Sequence, residues 1–445
     1  MIMEDPMHPA AAALAASLAV PAVAAPPAPP ARVAAALARL PEGEAGLHEL
    51  YLALHRSPEL SLQETATARK LAAILRTRGF EVTEGVAGTG VVGVLRNGDG
   101  PVVMLRTDLD ALPVEERTGV PYASTAVGKD DAGQPVPVMH ACGHDLHMTA
   151  WAGAAALLAR AKESWRGTLV VIGQPAEEKG AGAEKMLKDG LFTRFPRPSY
   201  VVALHVTPEL AAGEVGVTPG PAFASVDSVD LTIFGKGGHG AMPHRTIDPI
   251  LIAARTVVAL QALVSREKDP FEPAVVSVGA FHAGAKHNVI PPEARLKLTV
   301  RAYKEEVRQR LLAGIRRVAE GEAAAAGAPK PPELAIVEST PGVVNDVPLT
   351  GRLRAAFAAT LGAAKVKEFP PASVSEDFSY YGREGVPASM FWLGVATPAA
   401  LEEARKEGKA LPPLHSAEFC PDYEPSIRTG VTALVAAALD LLPAR

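Results

Sequence analysis

With 445 residues and a formal net charge of −5, the chain is too long for one ordinary core, so two domains are expected. Its charge gives no reason for nucleic acid or an anionic membrane surface as the main partner. Hydrophobic residues at 48% and charged residues at 21% are globular proportions, and two cysteines, Cys142 and Cys420, are too few for a disulfide scaffold. Small-molecule chemistry is the default that remains.

The chain begins with "MIMEDPMHP", followed by the Ala- and then Pro-rich "AAAALAASLAVPAVAAPPAPPAR". Residues 1–40 read as a signal-like or disordered leader. The apolar run and the small residues around "AVAAP" favour a periplasmic or secreted protein, whereas the acidic, Lys- and Arg-free start favours a cytoplasmic one. No later segment approaches 18 uncharged apolar residues, so no membrane partner is expected once the leader is removed.

From about Pro41 the pattern is regular. "SLQETATARKLAAILRTRGF" reads as an amphipathic helix with a capping box at Ser61 and Glu64 and a stop at Gly79. Apolar strands follow at 91–95, 102–108 and 168–173, with a helix at "HMTAWAGAAALLARA" between the last two. This alternation predicts an α/β fold with a mostly parallel sheet and helices on both faces. After about Gly220, "SVDLTIFGKGG" and "RLKLTVRAY" alternate as strands with one wet face, and "PILIAARTVVALQALV" between them reads as a helix. The earlier style returns after "PPELAIVE". Residues 41–221 and 340–445 are thus expected to form one α/β domain, interrupted by an inserted α+β domain at 222–339, whose two junctions lie close in space.

"MHACGHDLH" places Cys142 and His144 one residue apart around Gly143, so that thiolate and imidazole can face one ion; alone, a buried cysteine beside an incidental histidine explains it equally well. Glu177 and Glu178 follow a strand, at the carboxyl edge where open α/β sheets build their sites. Their side chains point apart, so one can bind metal while its neighbour stays free as a base; alone, the pair is a solvated acidic loop. His205 ends the apolar run "YVVALHV", where an imidazole needs a buried partner. His415, in the Pro-rich "PPLHSAEFC", is by itself a surface histidine.

Taken together and in order, "RTDLDALPV", "MHACGHDLH", "PAEE", "GGHGAMPH", "HNVIPPEARLKLTVRAY", "SEDFS" and "LHSAEF" resemble the motifs of the aminoacylase and carboxypeptidase-type metallopeptidases. The branch most similar is that of the amidohydrolases, which includes hippurate hydrolase and indole-acetyl-amino-acid hydrolase. The resemblance runs from about Leu47 to the C-terminus and implies a binuclear site. In it Cys142 is the bridging ligand, His144, Glu178, His205 and His415 are further ligands, and Glu177 is the general base. Arg106 stands where the wider family has a metal-binding histidine, as the branch does, and Ala417 stands where a proline is usual. Asp108 is implied to support the ligands from behind, although a turn cap in "TDLDALP" explains it as well. Glu376 and Asp377 either line the site or cap a helix. His239 is implied to reach across a homodimer, formed by the inserted lid and dimerisation domain, to hold the oxyanion. The stretch Gly235–Gly240 also satisfies G-x-G-x-x-G, but Pro243 follows without a helix, so the nucleotide context is missing. Asn288 and Arg301 are implied to hold a substrate carboxylate; for Arg301 a solvated strand face, shared with Arg295 and Lys297, is the competing reading.

The implied activity is metal-dependent hydrolysis of the amide of an N-acyl amino acid or small peptide-like substrate. Two divalent ions, manganese, zinc, cobalt or nickel, would bring the pKa of water from 15.7 toward about 7, and Glu177 would take its proton. Two rivals stand beside this: a thiol hydrolase using Cys142, and a non-catalytic metal-binding homologue.

Overall fold

A computed structural model describes residues 31–40 and 43–444. The leader reading for residues 1–30 lies outside the described residues. Residues 31–40 correct the leader's far end: Ala31–Leu37 is a helix whose Val33 and Ala36, spaced one turn apart, are buried in the main core, and Arg32 Nη1 donates to the Leu442 carbonyl at 2.8 Å.

Eight strands form the large sheet: β1 (Glu81–Val86), β2 (Gly90–Asn97), β3 (Val102–Asp108), β4 (Gly167–Gln174), β5 (Tyr200–Ala211), β6 (Val215–Val217), and, after a long excursion, β11 (Val366–Glu368) and β12 (Ala388–Ala396). The excursion holds a four-stranded antiparallel sheet of β7 (Val226–Phe234), β8 (Ala274–Ala283), β9 (Glu293–Ala302) and β10 (Glu333–Thr340). The large sheet runs β1-β2-β4-β3-β5-β12-β6-β11. Its central run β4-β3-β5-β12 is parallel, while β1, β2 and the β12–β6 contact are antiparallel. Near-continuous burial in β3, β4, β5 and β12 shows why: parallel strands covered on both faces read as unbroken apolar runs.

The principal helices are α1 (Glu44–His55), α2 (Thr65–Thr77), α3 (His144–Arg160), α4 (Pro249–Arg266), α5 (Glu305–Ala325) and α6 (Tyr423–Leu441). α3 and α6 are buried along most of their length against one face of the large sheet. A second apolar cluster, with Met186, Phe223 and Tyr381, covers the other face. α4 and α5 cover only one face of the small sheet, so β7 alternates strictly between buried and half-buried residues. α4, although it contains Arg255 and Arg266, is long and apolar enough to cross a bilayer by length and composition alone. It carries Arg255, paired with Glu322, and buries Ile252, Leu260 and Leu263 on the sheet.

The excursion leaves and returns side by side: Phe223 opposes Val343, and Val226 opposes Thr340. α2 corrects the predicted capping box. Glu64 precedes the helix without capping it, and Glu59 instead accepts from the amides of Ala66 and Thr67 at 3.1 and 2.7 Å. Ser61 and Glu64 are taken by distant partners, Asp110 and the Ala176 amide. The stop at Gly79 is as expected: its φ of 82° closes the helix, with the Phe80 amide bonded back to the Leu75 carbonyl.

Candidate metal centre

The site lies at the carboxyl edge of the parallel strands. β3 ends at Asp108, β4 ends three residues before Glu177, and β5 carries His205, running on past it to Ala211 rather than ending there. The α3 N-terminus brings Cys142 and His144. Gly143 makes that approach possible: it caps the helix at φ 75°, and a Cβ there would meet Val206 Cγ2 at 2.7 Å. His415 comes from a late loop tied to the cysteine loop by its own amide, which donates to the Ala141 carbonyl at 2.9 Å. Its φ of 66° is a left-handed conformation that a histidine adopts only where surrounding contacts hold it.

Two histidines are oriented in the same way. His144 Nδ1 donates to the Asp110 carbonyl at 2.8 Å, and His205 Nδ1 donates to the Val206 carbonyl at 2.9 Å. Each Nε2 is thereby left facing the site, the orientation that metal-ligating imidazoles use. His144 Nε2 lies 3.8 Å from Glu178 Oε1 and 3.9 Å from Glu177 Oε2; His205 Nε2 lies 3.6 Å from Cys142 Sγ; His415 Nε2 lies 3.5 Å from Glu178 Oε2. The donor atoms of Cys142, His144 and His205 lie within 4.8 Å of one another, as do those of Cys142, Glu178 and His415. Cys142 belongs to both trios. All five predicted ligands and Glu177 therefore meet in one place.

Charge accumulates behind them. Arg106, wholly buried, donates to Gln174, Asp108, Glu376 and Asp377 at 2.9, 2.6, 2.8 and 3.2 Å. Asp108 also accepts from His147 Nδ1 at 2.8 Å, and His147 Nε2 accepts the Val206 amide at 3.0 Å. Neither Arg106 nor His147 received a role from the sequence, although His147 sits one helical turn beyond His144. Glu376 and Asp377 do not cap a helix by the expected route; they anchor on Arg106, and Asp377 also accepts from Gln174 and the Ala183 amide.

Three carboxylates close on this one guanidinium, with Glu177 also acting on it, and the electrostatics follow. Burial, then the charges of Glu376 and Glu178, hold the Glu177 carboxyl well above its ordinary value. Burial lifts Glu178 to about 7 against the pull of His144. Burial would lower His144, but Asp108 and the neighbouring carboxylates outweigh it and raise it to about 10. Burial and the two glutamates push the Cys142 thiol far up, while burial and His147 push His205 far down.

His144 Nε2 and Glu178 Oε1 are buried without any hydrogen-bond partner, 3.8 Å apart. A partnerless imidazole nitrogen and a partnerless carboxylate oxygen facing one another in a negative field, with further nitrogen, oxygen and sulfur ligand atoms at hand, fit divalent cations. The cavity beside them holds about 590 Å³. Its walls include Phe223, Trp392, Val226, Arg301 and Glu338, so both sheets contribute. His239 and Asn288 are not brought to it. They sit together on the exposed ribbon formed by Gly238–His239 and Val289–Ile290, where the Asn288 carbonyl accepts the Gly240 amide at 2.9 Å.

Residues 104–409 match the peptidase family M20/M25/M40. The chain belongs to that family. It is 38% identical to the N-acetyl-L-cysteine deacetylase of Bacillus subtilis over 342 residues, 77% of this chain and 78% of that one. It is 42% identical to the hippurate hydrolase of Campylobacter jejuni over 273 residues, 61% and 68% of the two chains. The crystal structure of the B. subtilis YXEP protein, a dinuclear metal binding peptidase from the M20 family, superposes with a TM-score of 0.73 at 33% identity, covering 89% of this chain and 98% of that one. The resemblance read from the seven motifs is borne out, and the M20 fold agrees with the α/β architecture predicted.

Proposed function

We propose that this chain is a binuclear metal-dependent amidohydrolase that cleaves the amide bond of N-acyl amino acids or small peptide-like substrates to a carboxylic acid and a free amino acid. The observation that carries the reading is the pair of donor trios sharing Cys142, with Glu177 beside them, its carboxylate within 4.8 Å of the donors of His144 and Glu178 and of those of Glu376 and Asp377. The named activities of the M20 relatives, deacetylation of N-acetylcysteine and hydrolysis of hippurate, support amides of amino acids as the substrate class.

Cys142, His144, His205, Glu178 and His415 would hold the two cations, which supply Lewis acidity toward the amide carbonyl and make water more acidic. Nitrogen and carboxylate donors admit manganese, cobalt or nickel, and the thiolate favours zinc. Glu177 does the proton work. A carboxylate placed beside the cations can take a proton from water and return it to the departing nitrogen. Arg106 holds the backing carboxylates in place, and Arg301 faces the cavity with no hydrogen-bond partner among the described residues, ready for the bidentate grip of a substrate carboxylate.

The geometry argues against a thiol hydrolase. Cys142 Sγ lies within 4.8 Å of the donor atoms of His144 and His205 on one side and of Glu178 and His415 on the other, which suits a ligand shared by two cations rather than a nucleophile served by a single base. A purely structural metal site would have no use for Glu177.

Residues 222–339 would act as lid and as homodimer surface. Leu251 and Val258 on α4 are 61% and 74% exposed, and edge strand β8 exposes Val275 and Phe281 beside them. A second copy there would give His239 and Asn288 a cavity to serve. Export by the leader is the remaining element of the reading.

Glu177→Gln tests the core of it. Turnover of N-acetyl or hippurate-like substrates is expected to fall at least 1,000-fold while metal content stays near two ions per chain, and exhaustive chelation should silence the wild type. A Gln variant that keeps its rate sinks the assignment of the base.

A further inference from the structure

Strand β10 contains one residue too many. Opposite β7, Glu338 pairs with Ser228 and Ile336 with Val229, so Val337 is bulged out of the register. Because side chains alternate across a strand, one extra residue exchanges the faces on either side of it. Before the bulge, Leu334 packs toward the core of the small sheet. Beyond it the same parity turns outward, so Glu338 joins the open face with Ser228 and Thr299, its cross-strand neighbours. Ser339 turns inward instead, where it bonds Arg308 and Asp227. Without the bulge Glu338 would point at the helices. With it, Glu338 faces the metal cavity.

Arg301 stands on that same open face, two residues from Thr299 and also in the cavity wall. Strand spacing of about 4.8 Å and a rise of about 3.3 Å per residue put the two positions roughly 12 Å apart. Glu338 is fixed on one side only: Ser228 Oγ donates to Oε2 at 2.7 Å, and the carboxylate has no ion pair among the described residues. A guanidinium and a carboxylate that each feel the other's charge but, among the described residues, make no ion pair therefore look into one cavity across a span that one amino acid with a cationic side chain can bridge.

We propose that Glu338 is a specificity residue of this site: it selects leaving amino acids whose side chain carries a cationic or strongly donating end, lysine- or arginine-like, while Arg301 holds their carboxylate. The proposal rests on the amidohydrolase reading above. The scissile amide then lies over the metal centre, and the acyl group occupies the part of the cavity lined by Phe223 and Trp392.

The test compares kcat/KM of the metal-loaded enzyme for Nα-acetyl-L-lysine, Nα-acetyl-L-norleucine and Nα-acetyl-L-glutamate, with norleucine as the uncharged reference in every variant. Wild type is expected to prefer lysine over norleucine at least tenfold, mainly through KM, with the ratio shrinking between 0.05 and 0.5 M salt. Glu338→Gln should bring the ratio to within about threefold of one, and Glu338→Lys should turn the preference toward glutamate. A wild-type ratio near one, or one that Glu338→Gln leaves unchanged, overturns the proposal. If wild type hydrolyses none of these substrates, the amidohydrolase reading itself falls. Calorimetry with free L-lysine and L-norleucine then still decides Glu338: at least tenfold tighter lysine binding that is lost in Glu338→Gln upholds it, and equal affinities overturn it.

Discussion

The two sheets treat charge in opposite ways. In the large sheet, cover on both faces leaves a polar side chain near the carboxyl edge nowhere to go but into another polar group, and Asp108, Gln174, Glu376 and Asp377 accordingly close on Arg106. In the small sheet, cover on one face lets Arg295 and Lys297 stand in water, so charge there is cheap. A charged residue buried in the parallel run of the large sheet is therefore itself a sign of a site, whereas one on the open face of the small sheet acquires meaning only from its distance to the cavity.

The sharpest way to break this contrast is to remove the buried guanidinium of Arg106. Arg106→Met strands three carboxylates, and the expected cost is about 3–5 kcal/mol, read as a lower urea midpoint at unchanged slope. Because that variant can fail to fold, Arg106→Lys is the companion: it keeps the charge but not the fork that reaches four partners, and is expected to fold with weaker metal retention. A loss below about 1 kcal/mol for Met would mean that the network is not closed around the guanidinium.

A second buried charge pair should reveal itself through pH. His55, at the end of α1, donates from Nδ1 to Asp145 at 2.7 Å and from Nε2 to Glu116 at 3.1 Å. Burial would lower its pKa, but the two carboxylates outweigh burial and raise it to about 10. A folded value above the unfolded 6.5 means that the stabilisation is fully present below pH 6.5 and is lost as pH rises from there through 10. At about 1.4 kcal/mol per unit this is on the order of a few kcal/mol. Urea midpoints of the metal-loaded protein should fall across that window, and His55→Asn should flatten the fall. Equal slopes in both proteins would remove His55 as the cause. Asp145 adjoins His144, so the same variant is expected to hold metal less firmly.

What could be read in advance follows the same division. Unbroken apolar runs announced β3, β4 and β5, and polar residues interrupting them or just following them, Asp108, Glu177 and His205, marked the site. The role of Arg106 was illegible because its partners, Glu376 and Asp377, lie some 270 residues away. The capping box failed for a related reason: Ser61 and Glu64 satisfy a local pattern, yet stronger tertiary partners claim both side chains. Strands β6 and β11 have three residues each, too few to show any period. The bulge at Val337 leaves no mark in an alternating segment, so Glu338 passed as an ordinary solvated residue.

The smallest expected effects test the open face. Arg295, Lys297 and Arg301 alternate identically along β9, and only Arg301 reaches the cavity. Lys297→Ala should change stability by no more than about 0.5 kcal/mol and leave KM where it was. Arg301→Met should be equally silent in the urea midpoint, since the guanidinium makes no hydrogen bond or ion pair among the described residues, yet should raise KM at least tenfold for any substrate with a free carboxylate. An ester-blocked substrate should lose that sensitivity. If Arg301→Met destabilises the protein as Arg106→Met is expected to, then Arg301 has a structural partner, and the distinction between charge that must be satisfied and charge that is held in reserve for a ligand fails at the residue where it matters most.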